Sequence, residues 1–211
     1  MRRTSIALLL LAGIAHADEP RIIWSKFFKG SKPEYVSITV DRTGHAVYKE
    51  APNDENPLET DVPQSDVEVL FTLAGKLDNF AMPLESHLRV ANTGIKTLTW
   101  ENGSQKHQTS FNYSLNPDAR LVADWFERLS ETEQCFIELD RTVHFDHLGV
   151  NDALLQVNIL YDQKRLVTPL QFLPLLNRIT RNESYMHIAR ERAATLAEAF
   201  QKPAAAGKGS P

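Results

Sequence analysis

Residues 35–50 read YVSITVDRTGHAVYKE, and this stretch sets the fold class. Val36, Ile38 and Val40 alternate with Tyr35, Ser37 and Thr39, the period-two pattern of a strand with one buried face. Asp41-Arg42-Thr43-Gly44 supplies a tight turn, with Gly44 free to take a positive φ. HAVYKE then returns as a second strand, which makes a hairpin. A polar, proline-rich connection follows (APNDENPLETDVP), with a short edge strand expected near Leu58–Val62.

Next to this hairpin the periodicity changes. Val67, Leu70, Phe71, Leu73, Ala74 and Leu77 recur at helical spacing, so 65–78 is expected to be an amphipathic helix, with Ser65 and Glu68 as a capping box. A second hairpin follows: IKTLTWE, the turn pair Asn102-Gly103, then KHQTSFNYS. Its apolar positions are Ile95, Leu98 and Trp100, of which 95 and 98 differ in parity, leaving room for a bulge or a slipped register. In NPDARLVADWFERL, Asn116 is the expected cap, with Pro117 and Asp118 in the first turn and Val122, Trp125, Phe126 and Leu129 as the buried stripe. The arrangement is α+β: two antiparallel β-hairpin–helix units forming an open sheet-plus-helix layer, followed by a helical C-terminal half.

In that half, Phe136, Leu139 and Val143 continue the preceding stripe, although Ser130 and Glu133 offer a fresh cap. Leu154, Leu155 and Ile159 mark another helix. Thr168-Pro169 opens the next, with Pro174 forcing a kink or a late start. Asn182 or Ser184 is the expected cap of the last helix, which turns Ile188, Ala189, Leu196 and Phe200 inward. The expected divisions are an export signal over 1–17, the hairpin–helix region over 18–130, a helical region packed on it over 131–202, and a disordered tail over 203–211.

The expected export signal combines the positive start MRR, the apolar run IALLLLAGIA, and AHA before Asp18, which fits cleavage after Ala17. The run is too short for a permanent membrane anchor, and no later segment is apolar enough to span. The expected location is therefore periplasmic or secreted. Losing Arg2 and Arg3 with the signal moves the formal net charge from −4 to −6, which argues against nucleic acid as a partner. Acids dominate from Asp41 to Glu85, whereas the C-terminal third carries Lys164, Arg165, Arg178, Arg181, Arg190 and Arg192. Cys135 is the only cysteine, so an internal disulfide is impossible, and its apolar neighbours read as core packing rather than a reactive site.

Chemistry has few footholds. HFDH at 144–147 places His144 and His147 three apart, with Asp140 four before His144. On a continuous helix these three share a face and could ligate one ion. The competing reading is a corner, with Val143 ending the stripe, Asp146 capping and Gly149 breaking the helix; it is the one favoured here. His45, His87 and His107 lie on hairpins or in a loop, away from any partner with catalytic spacing. Gly-rich phosphate loops, the G-x-S-x-G elbow and paired zinc cysteines are all missing. Asp54-Glu55 sits in a loop without an apolar wall. The sequons at Asn102, Asn112 and Asn182 matter only in a eukaryotic secretory pathway. Trp100, Phe111 and Tyr113 are read as core more readily than as a binding face, and Trp24, Phe27 and Phe28 as a strand or a docking segment.

The stretches KPEYVSITVDRTGHAVYKEAP, KHQTSFNYSLNPDARLVADWFERLSETEQ and QFLPLLNRITRNESYMHIARERA resemble a family of exported bacterial proteins of unknown function. The first half also resembles, more loosely, small secreted hairpin–helix domains without an assigned activity. The resemblance implies export and one compact unit, and it carries over no catalytic residues or cofactor. The expected function is a non-catalytic binding or scaffold protein of the bacterial envelope, engaging an envelope protein or peptide. The alternative is a metal-dependent hydrolase using His144 and His147.

Overall fold

The computed structural model describes residues 19–202. The expected export signal, its cleavage point at Ala17 and the expected tail at 203–211 lie outside the described residues. Within them the first half forms strands β1 (Arg21–Phe27), β2 (Tyr35–Asp41), β3 (His45–Lys49) and β4 (Leu58–Asp61), helix α1 (Gln64–Lys76), and strands β5 (Ile95–Asn102) and β6 (Gln105–Phe111). Helices α2 (Pro117–Phe145), α3 (Val150–Asp162), α4 (Leu173–Arg181) and α5 (His187–Gln201) complete the α+β fold.

The six strands make one antiparallel open sheet in the order β4-β3-β2-β1-β5-β6. Both hairpins form, and β1 lies between them, pairing Trp24 with Ile38 on one side and with Leu98 on the other. RIIWSKF thus becomes a central strand rather than a docking segment: Trp24 and Ile22 face the core, and Phe27 is left exposed at the strand end.

The turns hold for local reasons. Asp41 Oδ1 accepts from Thr43 N at 2.8 Å and from His45 N at 3.1 Å, closing the β2–β3 hairpin. Gly44 has φ +92°, and a Cβ there would stand 2.7 Å from the Val62 carbonyl oxygen, to which the chain returns after β4. Gly44→Ala is expected to cost about 2 kcal/mol, from left-handed strain and this backbone contact. Urea unfolding measures it; a loss below about 0.5 kcal/mol contradicts the argument.

In the second hairpin the turn is Gly103-Ser104, one residue later than expected, because Asn102 pairs with Gln105. The parity conflict resolves without a bulge. Ile95 is exposed, and the inward positions of β5 are Lys96, Leu98 and Trp100.

Two helix starts differ from expectation. α1 begins at Gln64 after Pro63 with no side-chain cap, so the Ser65–Glu68 box is not used. α5 begins at His187 after Met186, and Ile188 is exposed. Elsewhere Asn116 caps α2 as expected, accepting from Asp118 N at 2.9 Å and Ala119 N at 3.3 Å. Pro174 sits in the first turn of α4, just after a 3-10 turn at Pro169–Phe172, which is the late start.

Two hydrophobic cores result. The first lies between the inward sheet face, α1 and the first part of α2 through Leu129. The second joins Leu139 and Val143 of α2 to α3, α4 and α5. α2 runs unbroken through residue 130, so the expected division at 130–131 falls inside one helix that serves both cores.

Candidate functional site

The HFDH corner comes first. α2 ends at Phe145 and Asp146 caps it in a non-helical conformation, so His147 has left the helix that carries His144. Their surroundings differ. His144 Nδ1 lies 2.8 Å from the Asp140 carbonyl oxygen, and the Arg178 guanidinium lies 3.1 Å from Nε2. Arginine only donates, so Nε2 accepts and the proton sits on Nδ1. A metal at Nε2 would have to displace a cation. His147 instead lies against Tyr185, with ring centroids 4.7 Å apart, while Tyr185 donates to the Val143 carbonyl. Gly149 completes the corner, donating to Asp146 Oδ1 at 3.1 Å. Among the described residues no group of three His, Cys, Asp or Glu side chains could hold a metal ion. His144→Ala combined with His147→Ala is expected to change stability by less than about 1 kcal/mol, as exposed side chains do; thermal unfolding checks it.

Three further titratable candidates are Cys135, His45 and His107. Burial, aided by Glu131 and Glu138, pushes the Cys135 thiol up to about 11, so it is a poor nucleophile at neutral pH. His45 lies 4.0 Å from Glu59 across the β3–β4 ladder, and His107 pairs with Trp100 across the second hairpin. Trp100 and Phe111 are buried in the core, and Tyr113 is half-buried beside it.

A different place holds the unusual chemistry, and it lies where β1 and β5 meet α2. Lys26 and Lys96 are direct cross-strand partners, both on the inward face of the sheet. Like charges at opposed positions repel. Lys96 is only 7% exposed, on a face otherwise built from Leu98, Trp100, Ile22 and Trp24. Its Nζ donates to the Asn112 carbonyl at 3.1 Å and to Thr93 Oγ1 at 3.2 Å. One carboxylate serves both lysines: Glu127 Oε1 lies 3.2 Å from Lys26 Nζ and 3.8 Å from Lys96 Nζ. Burial holds Lys96 below the usual lysine range, with Lys26 adding to the effect and Glu127 opposing it.

This ion group separates two clefts, since Lys26 and Glu127 line both. The smaller, about 230 Å³, has Trp24, Phe28 and Val36 as its apolar wall and Ser130 and Gln134 as its polar one. Trp24 is 1% exposed, and its indole N–H has no acceptor among the described residues. The larger, about 360 Å³, is bounded by Lys96, Phe111, Asn112, Tyr113, Arg120 and Ala123. Both stand near the lower end of small-molecule sites. Lys26, Lys96 and Glu127 carry no local sequence motif that marks them as a site. The parity conflict between Ile95 and Leu98 was the available sign, because it marks Lys96 as the residue on the buried side.

Comparison with protein-family models and with curated proteins finds no match to this chain. No described helix is long and apolar enough to cross a membrane.

Proposed function

We propose that the protein is an exported, non-catalytic binding protein of the bacterial envelope, with its ligand seated at the seam between β1, β5 and α2. One observation carries this reading: Lys26 and Lys96 face each other on the buried side of the sheet with a single carboxylate between them. Two apolar residues would pack there at lower cost, and such local breaches of the packing rule concentrate at functional sites. The adjoining clefts provide room for a ligand. Export rests on the residue pattern of 1–17.

The test uses protein recovered from the envelope of its own cells. Native mass spectrometry is expected to show a non-covalent adduct that Lys26→Met removes, and the recovered chain is expected to begin at Asp18. An adduct-free protein, unchanged by that variant, would sink the binding reading. A chain still beginning at Met1 would sink export.

A further inference from the structure

We infer that the larger cleft, bounded by Lys26, Lys96 and Arg120, recognises its ligand through a single carboxylate group on an apolar body; this rests on the binding reading above. The charges around the cleft do not balance. Glu127 is shared by Lys26 and Lys96. Glu85 also acts on Lys96, but its oxygens are taken by the backbone N–H groups of Asn112, Ser86 and His87. Asp124, on the cleft wall, is held by Arg128 at 3.2 Å and Arg165 at 3.3 Å, and Arg165 also grips Glu131. Arg120 is left over. Its contact is the Tyr113 hydroxyl at 3.5 Å, and among the described residues it pairs with no carboxylate.

On the cleft wall itself the cations Lys26, Lys96 and Arg120 outnumber the carboxylates Asp124 and Glu127 by one, and Arg128 and Arg165 from outside it already hold Asp124. A monoanion neutralises this surplus, whereas a dianion such as phosphate would reverse the imbalance. Guanidinium and ammonium donors suit a carboxylate head. Phe111 and Ala123 supply the apolar wall for a short carbon chain or side chain. The carboxylate belongs either to a free organic acid or to a peptide C-terminus, which share this chemistry.

The test is ¹H–¹⁵N NMR titration of the full chain with hexanoate and with acetyl-Ala-Ala, each against its uncharged primary amide. The acids are expected to shift the amides of Thr93, Lys96, Asn112 and Ala123, and the primary amides to leave them in place. Arg120→Gln, an exposed change that leaves the core intact, is expected to weaken the acids about tenfold. Whichever acid binds more tightly identifies the source of the carboxylate. Equal shifts from acid and primary amide would overturn the carboxylate and leave the binding reading standing. No shift from either acid, or tight binding indifferent to Arg120→Gln, would also overturn it, whatever adduct the native protein carries.

Discussion

Phe126→Ala is expected to cost about 3–5 kcal/mol. Phe126 is fully buried on α2 and lies parallel to Trp24 of the central strand, with ring centroids 5.8 Å apart and planes 3° from parallel. Trp125 meets it edge-on at 5.0 Å. The ring therefore joins α2 to the strand that unites both hairpins. Its removal leaves a cavity beside two rigid indoles, which collapse poorly into the space. Leu121→Ala on the same helix is the control. Leu121 is exposed, so its loss is expected to stay within about 0.5 kcal/mol. Urea unfolding of both variants decides the matter. If Phe126→Ala costs no more than Leu121→Ala, the packing of α2 on β1 is not what holds the first core.

The second large effect depends on pH. Glu133 is completely buried in the middle of α2, and burial raises its carboxyl from 4.5 to about 7 despite hydrogen bonds from Gln171 and Thr168. Gln171 Nε2 donates to Glu133 Oε1 at 3.0 Å, Thr168 Oγ1 donates to the same oxygen at 3.3 Å, and Oε2 has no partner among the described residues. The folded state therefore holds this proton more tightly than the unfolded chain. Its stabilising contribution is fully present below the unfolded value of 4.5 and is lost as pH rises to about 7. A shift of this size corresponds to about 3 kcal/mol at the high-pH end. Carboxylates whose values are lowered, Glu101 by Lys106 and Glu138 by Arg141, act in the opposite sense, and their contribution is lost in acid. Stability is thus expected to peak on the acid side of neutrality. Glu133→Gln is expected to flatten the decline between about pH 5 and pH 8, read by denaturant unfolding across that range. An undiminished slope in the variant would place the titration at another group.

Glu133 also shows where a sequence reading loses its hold. In the sequence it is one more acid that could cap a helix. In the fold it joins Gln171, which Thr60 of β4 also reaches at 3.1 Å, and so it lies between the two cores. Its burial depends on residues about forty positions away. The HFDH corner was more legible, because Asp146 and Gly149 are local chain-breaking residues and they do break the helix.

The hairpins, the helical periods and the Asn116 cap were determined by the sequence alone, because alternation, turn residues and capping bonds act within a few residues along the chain. The tertiary structure alone decided that Arg21–Phe27 lies at the centre of the sheet. That strand has Ile23 beside Ile22 and Trp24, so its polar and apolar residues do not alternate cleanly, and its partners lie far away in the chain. The same long-range pairing set Lys26 against Lys96 and delivered both to Glu127. Strand register is set by the core as a whole, so the charged seam follows from which strands meet rather than from any single stretch of the chain.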